Sequence, residues 1–406
     1  MDPGHRETTA RLTRAYWIGW ANIAGAAAIG FLSMLAVGAV LLIAAKLDYL
    51  ALGAHSDPIK ILTAIVLFGL ATLRVPIGIA HLSLAVLPLG ALIVFGWGLA
   101  GATRKAVGKK GPAAALNRVF EGARVAVPFA LMCWLAALIF RFRGGPNPVA
   151  ANAGATVIAA AVWALIFGAT GGLLAADSPT TLARDAADKV RARSKAVVDG
   201  LIAGVWMTVA ALVLATAALL LWIIVGLAHG TPHGFGAADA GAAAIYLIAF
   251  LPNVVIAVVT ISLGASVTTG ARFTFGGKAL GTLHTYSYFG WGHRSTPLLV
   301  FFLIAIPVVT SIAGGWFLNA TGVTSDRLPE SVAVTATTFA VPLAVIAAIG
   351  SARLGAGLVQ TQGVGVVAAT AWQVLLLAFG WAVIGCFAGW FVAERAGPNR
   401  RDRSGA

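Results

Sequence analysis

The sequence predicts an all-α polytopic membrane protein. It is expected to form two tandem parallel repeats of about four transmembrane helices each, with a re-entrant or broken helix and a short extended hairpin on the outer side of each. Three observations carry this expectation. The 406 residues are 59% apolar and only 10% charged, with a mean hydropathy of +0.91, and many apolar runs reach the roughly 20 residues that cross a hydrocarbon core of about 30 Å. Landmarks recur in one order: Gly154 to Trp163 reads against Gly363 to Trp372 at a separation of 209 residues, Pro128 against Pro342 at 214, and Pro88 against Pro297 at 209. A common separation across several marks is the signature of a duplicated module. The third observation is the distribution of basic residues between the runs.

Spanning helices are expected over 16–46, 86–103, 122–141, 151–175, 197–228, 297–318, 332–352 and 364–394. Two further apolar segments, 59–73 and 240–264, are ambiguous, and loop charge chooses between the alternatives. With eight crossings, 19 of the 28 basic residues lie inside; with ten, only 11 do. The positive-inside rule favours eight. Four crossings per repeat then give both repeats the same orientation, and the two ambiguous segments become re-entrant elements whose backbone must be covered by protein. Pro252 and Asn253, in the middle of 240–264, suit a broken helix.

The expected division is a cytoplasmic N-terminus over 1–15, membrane repeat 1 over 16–176, a charged cytoplasmic linker over 177–196, membrane repeat 2 over 197–394, and a disordered cytoplasmic tail over 395–406. Arg6, Arg11 and Arg14 precede a first apolar run far longer than the roughly 7–15 residues of a cleaved signal, so the run reads as an uncleaved anchor. The protein is placed in a bacterial cytoplasmic membrane, multi-pass, with both termini cytoplasmic.

After each ambiguous segment the pattern changes. Arg272 to Lys278 alternates Phe and Thr before a Gly-Gly pair, as a strand entering a hairpin does, and Arg74 to Ala85 is its counterpart in the first half. Arg272, His284, Tyr286 and His81 are therefore the candidate outer-face interaction residues. His284 and His293 also lie among Tyr286, Tyr288 and Trp291, which matches an aromatic interface belt and no zinc spacing. On the inner side, Arg184, Lys189, Arg191, Arg193 and Lys195 form a basic face at helical spacing. It sets orientation and could dock a partner or anionic lipid.

Within the spans no Asp, Glu, Lys or Arg is central, which weakens an ion-coupled carrier. The polar groups there, Asn253, Gln373, Thr208 and Thr335, suit interhelical hydrogen bonds. Gly168 with Gly172, and Gly385 with Gly389, each clear a flat face for close helix packing, either within the chain or in a homodimer. Cys133 and Cys386 fall inside apolar runs as small hydrophobes. No catalytic residues, metal site or cofactor is expected. The basic residues lie in short loop clusters, which argues against nucleic acid despite a net charge of +14.

The run Leu251-Pro-Asn253, the apolar stretch ending in Leu263-Gly, the Gly/Thr-rich extended segment, and Pro297-Leu-Leu leading to Ala313-Gly-Gly315 resemble the second half of the actinobacterial PerM-like membrane proteins. Leu82 to Gly90 is similar to the corresponding first-half element. The resemblance implies a non-enzymatic envelope protein that supports cell division. The chain departs from that family in its very short polar tail.

Three function classes follow, in order: an envelope or division-associated scaffold, whose partners are the lipid bilayer and another membrane or division protein or a second copy; a small-molecule or lipid transporter built from a duplicated bundle; and an intramembrane enzyme, disfavoured for want of paired catalytic residues. The eight-span topology is tested by Lys109→Cys. An impermeant thiol reagent applied to intact cells is expected to leave that position unlabelled, and efficient labelling would overturn the topology.

Overall fold

The computed structural model describes residues 3–44, 57–79, 82–85, 88–108, 115–142, 149–175, 194–228, 237–275, 278–280, 283–286, 302–350, 352–358 and 361–396. Among these, seven helical stretches are long and apolar enough to cross a bilayer: Gly19–Ala44, Asn117–Ile139, Ala153–Leu174, Lys195–Val225, Phe302–Ala320, Leu328–Gly350 and Ala371–Ala396. The chain is a multi-pass integral membrane protein. The segment expected over 86–103 is a 20-residue helix, Leu89–Gly108, but Arg104 and Lys105 cut its apolar run short, so it is not among the seven.

The helices are α1 (Pro3–Ala44), α2 (Pro58–Ala71), α3 (Leu89–Gly108), α4 (Ala115–Ala123), α5 (Ala126–Ile139), α6 (Ala153–Leu174), α7 (Lys195–Ala228), α8 (Ala237–Ser262), α9 (Ala305–Ala320), α10 (Leu328–Gly350) and α11 (Ala371–Ala396). The chain divides into two compact units. One comprises residues 1–183, 236–251 and 354–359; the other comprises 184–235, 252–353 and 360–406.

Both ambiguous segments are helices. The 14 residues of α2 rise only ~21 Å, whereas the 26 residues of α8 rise ~39 Å. Helix α2 starts where Asp57 caps it, its carboxylate accepting from the Ile59 N–H at 2.9 Å with Pro58 in the first turn. The expected break at Pro252 is absent: α8 stays helical through it. Proline costs one N–H but leaves the rest of the ladder in place, and Asn253 gains a tertiary bond, its Nδ2 donating to the Gly350 carbonyl at 3.1 Å. The expected span 122–141 falls largely within the stretch Asn117–Ile139, in which α4 and α5 meet at a turn at Arg124–Val125, and Pro128 lies in the first turn of α5, where its missing N–H matters least.

The extended segments foreseen in both halves are strands. In the first unit β1 (Ile77–Ile79) pairs antiparallel with β2 (Leu82–Ala85) and β3 (Val149–Ala151). In the second, β4 (Val267–Phe275) pairs with β5 (Lys278–Leu280) and β6 (Leu283–Tyr286). Two further strands, β7 (Ala352–Leu358) and β8 (Thr361–Ala369), are present, and the second corrects the expected helix over 364–394, which begins only at Ala371 because β8 pairs with β4 over nine residues, from Val267–Ala369 to Phe275–Thr361. Glycines at 363 and 365 among Val364, Val366 and Val367 disfavour helix and suit a strand. Gly154–Trp163 is helical while most of Gly363–Trp372 is extended, so these two similar runs have different structures.

Each unit packs through small residues. In the first, Gly168 and Gly172 of α6 lie against Gly122, Arg118 and Val119 of α4, where a Cβ on Gly172 would collide with the Arg118 carbonyl oxygen. Phe95 and Phe129, both fully buried, stack at 5.4 Å, and Phe95 meets Phe167 edge-on at 5.9 Å. In the second, Gly385 and Gly389 of α11 receive Ser311 and Ile312 of α9, and Gly315 of α9 lies on the Cys386 carbonyl. The two Gly-x-x-x-Gly pairs thus serve unlike neighbours, each inside its own unit. Cys133 and Cys386 are buried. Gly172→Leu is expected to abolish the folded, monodisperse protein in detergent, whereas Gly101→Ala, which meets open space, should leave the melting temperature within about 2 °C, as suits an open helical site.

Candidate functional site

The polar groups singled out in the spans are held by the protein itself. The Gln373 side-chain carbonyl accepts the Ser266 N–H at 2.8 Å and the Ser266 hydroxyl at 2.6 Å. The Thr335 hydroxyl donates to Ser331 O at 2.8 Å within α10 and lies 3.1 Å from Gly200 O of α7. Thr208 donates to Gly204 O, one turn back in its own helix, at 2.9 Å. Ser331 adds a bond to Ala196 O at 3.1 Å. The seam between α7 and α10 therefore consists of Gly200 and Gly204 facing Ser331, Thr335 and Thr338. The sequence reading passed over this third Gly-x-x-x-Gly pair, although its spacing was visible.

A second arrangement recurs at the helix-to-strand exits. In the first unit the indole N–H of Trp163 on α6 donates to the Leu73 carbonyl at 3.2 Å, Arg74 adopts φ 64°, and the Asn152 N–H that begins α6 donates to Pro76 O at 3.1 Å. In the second, Trp381 on α11 donates to Leu263 O at 3.1 Å, Gly264 adopts φ 91°, and the Thr370 N–H donates to Ser266 O at 3.2 Å. The donating indoles at these two exits are Trp163 and Trp381, 218 residues apart; Trp372 is 59% exposed.

A charged site lies in the second unit, where α7 begins and the α9–α10 turn passes. A cavity of about 200 Å³ is lined by Lys195, Asp199 and Arg327, together with Gly322 and Thr324 of the turn. Asp199 is 3% exposed. The turn is held rigidly. Gly322, at φ 79°, ends α9 with the paired bonds Val323 N–H to Leu318 O and Gly322 N–H to Asn319 O. Lys195 Nζ donates to Thr321 O at 2.8 Å, and the Trp390 indole donates to Val323 O at 3.1 Å. Beside it, the Thr324 hydroxyl and backbone N–H groups hold the exposed Asp326 carboxyl below its ordinary range, assisted by the Arg327 charge.

Of the remaining sequence candidates, Arg272 pairs in register with Val364, His284 with Thr269 and Tyr286 with Val267, so the three do not share one register position. His81, Arg184, Lys189, Arg191 and Arg193 lie outside the described residues, and Lys195 lies at the cavity. The cavity was not legible in the sequence because Arg327 and Asp199 are 128 residues apart. Among the residues described, no group of three His, Cys, Asp or Glu could hold a metal.

Gln373→Leu leaves the buried Ser266 N–H without its acceptor, while the Ser266 hydroxyl keeps the Thr370 hydroxyl at 3.0 Å. It is expected to destabilise the protein by about 1–3 kcal/mol, read as a lowered unfolding midpoint in detergent, while Thr208→Ala should change it by less than about 0.5 kcal/mol. Compared with protein-family models, with curated proteins and with solved structures, the chain shows no match.

Proposed function

We propose that the chain is a non-enzymatic membrane scaffold of the cell envelope, associated with cell division and built as a duplicated module. The observation that carries the scaffold reading is that Asn253, Gln373 and Thr335, the polar groups a carrier would turn toward a solute, are committed to backbone groups of the protein itself. A solute site needs polar groups that exchange protein partners for ligand. Duplication is supported by the recurring exit of helix into strand, with its indole bond, its left-handed residue and its helix-capping N–H. Both termini are assigned to the cytoplasm on the charge balance.

The face offered to a division partner is assigned to the strands around Arg272, His284 and Tyr286, because irregular backbone at membrane depth is retained where it has a use. The test is a depletion strain complemented with wild type or with the triple variant Arg272→Ala, His284→Ala, Tyr286→Ala. Depletion is expected to lengthen cells and misplace septa, and the variant should fail to restore division at normal membrane abundance. Full rescue by the variant would sink the assigned face. Normal division on depletion, with altered solute uptake or export, would favour the transporter.

A further inference from the structure

We propose that the cavity at the start of α7 binds a phosphate group at the membrane boundary, with Lys195 and Arg327 as its cationic contacts. Its location follows from helix lengths. The turn from Thr321 to Arg327 joins two consecutive spanning helices, so it must lie where the hydrocarbon ends. Helix α7 has 34 residues, ~51 Å of rise, well beyond a core of about 30 Å, which lets Lys195 at its first position reach the headgroup layer.

The chemistry is that of an oxyanion site. An ammonium carries three donors, of which Thr321 O takes one, and a guanidinium carries five in a planar fork suited to phosphate. Lys195 and Ala196 are the first residues of a long helix, whose N-terminus adds positive potential there, although the Ser194 hydroxyl already accepts the Val197 N–H at 3.4 Å. Of the neighbouring acids, Glu330 accepts the Ser194 hydroxyl at 3.1 Å, and the exposed Asp326 accepts that of Thr324 while also feeling the Arg327 charge. Asp199 brings the ionisable lining to a net single positive charge. That balance matches the monoanionic phosphodiester of a lipid better than a dianionic free phosphate. A volume of about 200 Å³ is several times the roughly 30 Å³ of a water, enough for a phosphate carrying a small substituent. The turn is preformed, since the Gly322 cap and the bonds from Lys195 and Trp390 fix it before any ligand arrives. The inference stands on this cavity alone and holds whether the chain is a scaffold or a carrier.

The experiment uses the full-length, delipidated protein in detergent, with adducts counted by native mass spectrometry. The probes are dioleoylphosphatidylglycerol, dioleoylglycerol (the same chains without phosphate) and inorganic phosphate. Phosphatidylglycerol should bind wild type, and Arg327→Gln and Lys195→Gln should each weaken it about tenfold or more, as loss of one charge-assisted bond does. Arg327→Lys should retain most binding, and dioleoylglycerol should not bind. Arg104→Gln with Lys105→Gln, which removes at least as much charge from residues that do not line the cavity, should change nothing. Inorganic phosphate that binds with the same Arg327 dependence, where the lipid does not, would assign the site to the free anion. Equal phosphatidylglycerol binding by wild type and Arg327→Gln, equal binding of dioleoylglycerol, or an equal loss in the Arg104/Lys105 variant would overturn the proposal. Arg327 is exposed, so its replacement tests binding without disturbing a core.

Discussion

A backbone carbonyl or N–H left unpaired where water is excluded costs several kcal/mol, and that constraint organises the buried places, at Leu73 and Leu263, where this chain stops being helical. Helices α2 and α8 both end close to strands, and each end needs acceptors and donors that a continuous helix would have supplied. At both ends a tryptophan from a long helix of the same unit meets the exposed carbonyl, Trp163 at Leu73 and Trp381 at Leu263. The residue that follows turns into the left-handed region, and the next carbonyls receive the N–H groups that begin α6 and α11. Strand pairing then satisfies the extended backbone.

The same constraint explains where glycine is indispensable. Helices in lipid gain little from hydrophobic contact with one another, so they must approach closely enough for dispersion and polar bonds to act. Gly172 of α6, against α4, and Gly315 of α9, against α11, permit that approach. At the α7–α10 seam, Gly200 and Gly204 bring Ser331 and Thr335 near the carbonyls of α7. Small residues and hydroxyls thus act together, the first by allowing proximity and the second by using it.

The charged cavity belongs to a different regime. Water and headgroups reach the α9–α10 turn, so the backbone no longer needs complete internal pairing and cationic side chains can point at a ligand. What the protein supplies there is rigidity: Gly322 ends α9 in a fixed cap, and Trp390 anchors the carbonyl of Val323. The buried Asp199 sets the charge of the site.

Hydropathy and loop charge are local properties that add along the chain, and by themselves they determined the membrane class, most of the long helices, and the extended character of the segments after Arg74 and Gly264. They could not tell that 363–369 would pair with β4, because a valine-rich run reads equally as helix or strand until a partner strand is present. Nor could they match Trp163 with Trp381, since equivalence lay in what each indole touches and not in the surrounding alanines and valines. Tertiary structure alone decided which distant groups meet: Gln373 with Ser266, 107 residues apart, and Lys195 with Thr321, 126 residues apart. A hydrogen bond depends on position to within a fraction of an ångström, and such positions exist only once the helices have packed.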